Sequence, residues 1–225
     1  MKNPIKYSFK TEIWPFLILL AMVILSLWSY QKLPARVITH WNIDGKANGW
    51  SSREFLVLFF PALTIVLYVL FNVFPRFDPK SERYGEFSNA FLIMRNVVLL
   101  ILLIAFAISI FINLGYKIDI GTILTAAISI MIIVIGNYLG KVKPNWFIGI
   151  RTPWTLSSEN VWNKTHRLGS RLFVIVGVCA LITVWIKPAI AMIIFIGGVG
   201  CSSLYVFVYS YILYKNEKKK FNIQE

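Results

Sequence analysis

The run N-V-V-L-L-I-L-L-I-A-F-A-I-S-I-F-I-N-L, residues 96–114, decides the fold of this chain. It contains no charged residue, and an α-helix of about 20 apolar residues is long enough to cross the ~30 Å hydrocarbon core of a bilayer. Five further apolar runs of comparable length occupy residues 13–32, 55–74, 121–140, 172–186 and 189–214. The sequence therefore predicts an all-α polytopic membrane protein with six transmembrane helices.

Charge composition and charge position together set the orientation. The chain is 57% hydrophobic and only 15% charged, against about 25% charged residues in soluble domains. Its net charge is +13, which in a soluble protein would suggest nucleic-acid binding. With the N-terminus in the cytoplasm, however, 17 of the 23 Lys and Arg fall on the cytoplasmic side. The positive-inside rule then places both termini inside and the basic residues beside the anionic leaflet, without direct nucleic-acid binding.

Two connecting loops carry more aromatic and polar residues than a spacer needs. They are the outer loop, residues 33–54, and the inner loop, residues 141–171, whereas residues 75–95 form a plain polar connection. The two loops hold both His residues and five of the eight Trp: His40, Trp41, Trp50, Trp146, Trp154, Trp162 and His166. Loops that retain such residues are commonly functional surfaces. We expect a domain boundary near residue 90, giving regions 1–90 and 91–225.

The inner loop is expected to begin as irregular structure and to end as helix. Pro144 and Pro153 disfavour helix before them, so 144–155 is predicted to be structured and non-helical. Ser157 or Ser158 is predicted to cap the next helix, with Glu159 in its first turn. One face of this helix carries Glu159, Trp162 and His166.

An arginine amid hydroxyls and an indole suggests an anion pocket in the inner loop. The hypothesis is that Arg151, Thr152, Trp154 and Thr155 surround a phosphate or carboxylate, because a guanidinium matches those groups bidentately. The alternative is that Arg151 is an ordinary positive-inside residue and that Trp154 and Trp162 are interface anchors.

The outer loop is rich in turn signals. The dipeptides at residues 44–45 (Asp-Gly) and 48–49 (Asn-Gly) favour tight turns, and alternation would place His40, Asn42 and Asp44 on one face of an extended segment. An EF-hand is excluded because Ser51 stands where its glutamate must be. Two interpretations of the outer loop stay open. One is a looser metal site formed by His40, Asp44 and Glu54, and the other is a β-turn cap that places Trp41 and Trp50 on the outer leaflet.

The inner-loop sequence resembles a known family. The segments G-N-Y-L-G-K-V-K-P (136–144), N-W-F-I-G-I-R-T-P-W-T-L (145–156) and V-W-N-K-T-H-R-L (161–168) resemble the signature of SdpI-type immunity proteins of Gram-positive bacteria. The pattern P-x5-H-W-N-x-x-G from Pro34 to Gly45 is similar to a short domain of unknown function that often precedes this signature.

The resemblance implies a function and a set of residues. SdpI-type proteins of the bacterial plasma membrane protect a cell from a secreted membrane-active peptide toxin, and in the founding system the protein also senses the toxin and holds a cytoplasmic transcriptional repressor. Inner-loop binding residues implied by the resemblance are Asn145, Gly149, Arg151, Thr152, Pro153, Trp154, Thr155, Trp162, Thr165 and His166. The exposed outer loop adds His40, Trp41, Asn42, Asp44 and Gly45 as candidates for toxin contact.

Two other classes of function stay open at the level of sequence. One is a membrane enzyme or lipid-phosphate-binding protein at the cytoplasmic leaflet, and the other is a small-molecule transporter. The spans have no ionisable residue at their centres, which disfavours ion-coupled transport, and no nucleophile or metal motif is recognisable. We assign no catalytic residue, cofactor or metal. Cys179 and Cys201 lie within apolar runs, so no disulfide is expected.

Overall fold

A computed structural model describes residues 4–221. Six helices are long and apolar enough to cross a membrane, as predicted: α1 (Phe9–Tyr30), α2 (Arg53–Phe77), α3 (Ser88–Asn113), α4 (Ile120–Leu139), α6 (Glu159–Thr183) and α7 (Pro188–Phe221). The shorter elements are a hairpin of β1 (Arg36–Trp41) and β2 (Ala47–Ser52), a 3-10 helix (Ser81–Phe87) and α5 (Pro153–Ser157). The all-α class is confirmed, with one small antiparallel sheet added.

The helices form two groups of three that meet through α3 and α4. Helices α1, α2 and α3 pack together, and α4, α6 and α7 form the second group. The contact between α4 and α6 is the most extensive, because Gly177 lets α6 approach Ile132 and Ile133 of α4 so closely that a Cβ would clash. Gly198 similarly permits α7 to lie against Val176, so part of the glycine cluster in the last helix serves helix packing.

The connection between the second and third spans is mostly helical, which corrects the predicted polar loop at 75–95. Helix α2 continues to Phe77, the 3-10 helix follows, and α3 begins at Ser88. The cause is packing: Tyr84 and Phe87 are fully buried against Phe91 and Trp162. Burial of these rings offsets the polar composition of the segment.

An ion pair is buried between α1 and α3, which the sequence analysis did not foresee. Arg95 is fully buried and places Nη2 3.1 Å from Glu12 Oε1. Its guanidinium also donates to the Thr11 carbonyl and to Asn72 Oδ1, and Tyr68 donates to Glu12. Arg95 lies two turns inside α3, although residues 75–95 were expected to form a polar connection. Each additional hydrogen bond compensates the cost of removing these charges from water.

The outer loop is a hairpin closed by a turn at residues 42–45. Gly45 adopts φ +75°, and the Asn42 side chain accepts hydrogen bonds from the N–H groups of Asp44 and Lys46. The Asp44-Gly45 turn is therefore confirmed. The Asn48-Gly49 turn was a wrong prediction: both residues belong to β2, where a register irregularity faces His40.

Candidate functional site

The inner loop is organised around Asn145, which is fully buried. Its Oδ1 accepts hydrogen bonds from the N–H groups of Phe147 (2.9 Å) and Ile148 (2.7 Å). Its Nδ2 donates to the carbonyls of Lys143 and Ile148. One side chain thus satisfies four backbone groups of a segment that has no regular secondary structure, as buried backbone polar groups require.

Asp78 connects this loop to the first half of the chain. It is buried, and its Oδ2 accepts from the Trp146 N–H and from the Tyr84 hydroxyl, both at 2.8 Å. Asp78 was not among the site residues predicted from the sequence. The Asp78-Pro79 dipeptide signals a turn, but the partner of the carboxylate is 68 residues away along the chain.

Gly149, Trp162 and His166 form one packed unit beneath the loop. Gly149 has φ +115°, and a Cβ there would collide with His166 Nε2. The Trp162 indole N–H donates to the Val142 carbonyl at 2.8 Å. Both aromatic side chains are fully buried, so they hold the loop and present no surface to a ligand.

Thr152, Pro153 and Thr155 build the start of α5. Thr152 and Thr155 form a reciprocal capping box with Pro153 at the first helical position. This corrects the prediction that 144–155 contains no helix. The Thr155 hydroxyl also donates to the Ile150 carbonyl, and the Thr152 hydroxyl lies 3.1 Å from Ser210 Oγ of α7.

The structure separates the members of the predicted anion pocket. Trp154 packs against Phe207 and Tyr211 with ring centroids 5.1 Å away in each case, and the Thr155 hydroxyl is occupied within the loop. Arg151 is exposed, and its Nη1 donates to the Trp146 carbonyl. Arg151 and Thr152 instead line a cavity of about 430 Å³ between α3, α4, α6 and α7, here called the inner cleft.

The helix after α5 begins as predicted. Ser158 caps α6 by accepting from the Val161 N–H. Glu159, at the first turn, is paired with Arg83 at 2.7 Å and does not approach His166. Thr165 is fully buried, and its hydroxyl has no hydrogen-bond partner within residues 4–221.

A second cavity, here called the outer cavity, lies beneath the hairpin. Its volume is about 280 Å³, and its walls come from residues 39–43 and 45 and from α2, α3, α4 and α7. Four of the predicted outer-loop residues line it: His40, Trp41, Asn42 and Gly45. Asp44 does not line it, although both of its neighbours do.

Two largely buried residues add hydroxyl groups to the lining of the outer cavity. Ser109 and Thr125 are 3% and 2% exposed and line the cavity. Their hydroxyls do not donate to the carbonyl four residues earlier, whereas those of Thr64, Ser129 and Thr183 do. They are therefore available to a guest with hydrogen-bonding groups.

The looser metal site that the sequence left open is not formed. Glu54 contacts Arg53 and Tyr30, while His40 Nδ1 lies 2.6 Å from Asn48 Oδ1. Within residues 4–221, no three His, Cys, Asp or Glu side chains come together as metal ligands.

Comparison with known proteins agrees with the sequence signature. Residues 141–210 match the model of the SdpI/YfhL protein family, and residues 17–65 match a domain of unknown function, DUF1648. The chain is 27% identical over 168 residues to "Immunity protein SdpI" of Bacillus subtilis (strain 168), covering 75% of this chain and 78% of that protein. No solved structure matches the chain.

These matches cover both structured loops. The SdpI/YfhL match spans the inner loop, α5, α6 and most of α7, and the DUF1648 match contains the hairpin. Together with the six spans, they identify a multi-pass protein of the bacterial plasma membrane. The predicted resemblance is therefore confirmed: residues 141–210 match the SdpI/YfhL family and residues 17–65 match DUF1648, in a chain with six helices long and apolar enough to cross a membrane.

Proposed function

We propose that this chain is a membrane immunity protein that protects its cell from a secreted, membrane-active peptide. The proposal is supported by the similarity to Immunity protein SdpI over three quarters of the chain. The two family matches, which cover both structured loops, support it as well. The absence of ionisable residues from the centres of the spans favours it over ion-coupled transport.

The outer cavity is the observation that carries the proposal in the structure. Under the positive-inside orientation it opens on the side from which a secreted peptide arrives. Its apolar walls include Phe60, Ile120 and Met192, and its polar lining residues are Thr39, His40, Asn42, Ser109 and Thr125. At about 280 Å³ it is near the lower end of the ~300–1,000 Å³ typical of ligand pockets. It therefore suits one peptide side chain, with the exposed hairpin contacting the residues on either side.

A survival assay tests this function directly. The chain is expressed in a toxin-sensitive bacterial host, which is challenged with secreted membrane-active peptides of the SdpI-type systems, and surviving cells are counted against an empty-vector strain. We expect survival to rise by at least an order of magnitude. If no peptide of this class is resisted at confirmed membrane abundance, the proposal is wrong.

Variants of the outer cavity connect protection to the site. Ser109→Ala with Thr125→Val removes both hydroxyls with little change in shape, and we expect protection to be lost at unchanged membrane abundance. Thr183→Val is the matched control, because that residue is half-buried, does not line the cavity and has its hydroxyl bonded within its own helix. Full protection by the double variant would mean that the outer cavity only holds water and does not contact the toxin.

A finer proposal is that the protein also senses the toxin and signals to a cytoplasmic transcriptional repressor. It is supported by the fact that three helices line both cavities. The outer cavity is lined by Ser109 of α3, Thr125 of α4 and Met192 of α7. The inner cleft is lined by Met94, Leu139 and Val206 of the same three helices. A peptide side chain bound in the outer cavity that shifted these helices would also change the cytoplasmic surface. Allosteric coupling requires such a difference between the bound and unbound states.

Labelling of the inner loop tests the sensing step without knowledge of the repressor. Asn163→Cys, at an exposed position of α6, is labelled in inside-out vesicles prepared with and without the peptide inside. We expect the labelling rate to change at least twofold when the peptide is present. An unchanged rate, in vesicles from cells that survive the toxin, would contradict signalling and leave immunity intact.

A further inference from the structure

The inner cleft combines a long apolar wall with a single cation at its cytoplasmic end. Leu139 of α4, Phe173 of α6 and Val206 of α7 contribute to the wall, and Arg151 stands where the inner loop meets the helices. Its lining includes Leu139, the last residue of α4, at the predicted cytoplasmic end of that helix. Its volume of about 430 Å³ falls within the range of ligand pockets.

The guanidinium of Arg151 is free to bind an anion. Its side chain is exposed, and one N–H contact, to the Trp146 carbonyl, fixes its direction. It makes no ion pair within residues 4–221, whereas Arg83 is paired with Glu159 and Arg95 with Glu12. Arginine carries five N–H donors, so most of its hydrogen-bonding capacity is unused.

We propose that the inner cleft binds one anionic phospholipid of the cytoplasmic leaflet. The phosphodiester accepts hydrogen bonds from the Arg151 guanidinium, and one acyl chain lies along Leu139, Phe173 and Val206. The fork of N–H donors matches phosphate oxygens. Charge selects an anionic lipid over a zwitterionic one, because the quaternary ammonium of a choline head group is repelled by the guanidinium. The apolar wall selects a lipid over a soluble anion, because an aqueous ion gains nothing from that surface.

The hydroxyls near Arg151 are not available to replace it. Thr152 Oγ1 is shared with Ser210 and Thr155, and Thr155 Oγ1 with the Ile150 carbonyl. The charge of Arg151 is therefore expected to dominate head-group selection, independently of any toxin.

Lipid retention by the purified full chain tests the proposal. The protein in neutral detergent is titrated with phosphatidylglycerol or with phosphatidylcholine of the same acyl chains. Bound lipid is counted by native mass spectrometry. We expect one phosphatidylglycerol to be retained on the order of tenfold more tightly than phosphatidylcholine, with glycerol phosphate alone not retained. Equal retention of the two lipids, or equal retention of the head group alone, would overturn the proposal.

Three variants distinguish the contribution of the Arg151 charge to lipid binding from the contribution of the apolar cleft. Arg151→Gln should abolish the preference for phosphatidylglycerol. Arg167→Gln should preserve it, because Arg167 is an exposed α6 arginine that does not line the cleft. Ser203→Phe narrows the cleft with Arg151 intact and should weaken retention of both lipids. An unchanged preference in Arg151→Gln, or unchanged retention in Ser203→Phe, would contradict the site.

Discussion

The imidazole of His166 stacks on the indole of Trp162, with ring centroids 4.0 Å apart and ring planes 17° from parallel. His166 Nε2 lies 3.0 Å from the Ile150 N–H, and Nδ1 lies 2.9 Å from the Trp162 carbonyl. Because the Ile150 group can only donate, Nε2 must accept and Nδ1 must carry the proton. His166 is therefore a neutral residue that fixes the inner loop to α6.

Replacing His166 by alanine should loosen the loop. The substitution leaves the Ile150 N–H without its acceptor, at a cost of roughly 1–3 kcal/mol, and opens a void beside Trp162. We expect a lower Tm in detergent and faster proteolysis at residues 144–152. Asn163→Ala, on the exposed face of the same helix, should leave both unchanged. Equal Tm values for His166→Ala and wild type would show that His166 does not support the loop.

Gly149→Ala should be more damaging than its size suggests. The residue has φ +115°, which L side chains rarely adopt, and the new Cβ would meet the His166 ring. We expect a large loss of folded protein in the membrane, measured by detergent-extractable monodisperse yield. Gly85→Ala is the control, since a Cβ there has nothing within 4 Å. Comparable yields from the two variants would contradict the proposed constraint.

Arg95 and Glu12 should behave as an energetically coupled pair. Arg95→Met leaves the Glu12 carboxylate partly buried without its partner, and breaking such pairs costs about 3–5 kcal/mol. We expect Glu12→Gln combined with Arg95→Met to lower the Tm less than the sum of the two single changes. Arg76→Met, at an exposed arginine without an ion pair in residues 4–221, should have little effect. Strict additivity would indicate that the pair contributes nothing specific.

The two structured loops should lie on opposite sides of the membrane. Cys179 and Cys201 are first replaced by alanine, because both are exposed on the helices. In intact cells, a membrane-impermeant maleimide should label Lys46→Cys in the hairpin turn and not Asn163→Cys in α6. Labelling of Asn163→Cys alone would reverse the orientation and place the outer cavity on the cytoplasmic side.

The spans were predictable because hydrophobic length is a local property. Each run of about 20 apolar residues must form its hydrogen bonds within itself in lipid, so a helix follows wherever such a run occurs. The same reasoning failed at residues 75–95, where the polar composition suggested a loop. Burial of Tyr84 and Phe87 against α3 and Trp162 makes most of that segment helical, and no local pattern encodes those distant contacts.

In the candidate sites, too, local features were predictable from the sequence and non-local ones were not. Turn and cap signals correctly located the hairpin turn at Gly45 and the start of α6 at Ser158, because each depends on residues within a few positions. The residues of the predicted anion pocket point in different directions, because the chain turns into α5 at Pro153. Arg151 reaches the inner cleft, whereas Trp154 packs on α7.

By itself the sequence determined that the chain spans a membrane six times, and its charge distribution predicted which way it is oriented. It also identified the inner and outer loops as candidate functional segments, because they hold more aromatic and polar residues than a spacer needs. Only the tertiary structure decided that Asn145, Trp162 and His166 hold the inner loop, that Asp78 ties it to the first half, and that Ser109 and Thr125 share a cavity. The hydrogen bonds of Asn145 are local, within residues 143–148. The other relationships join residues far apart in the chain, and they exist only because helix packing brings those residues together.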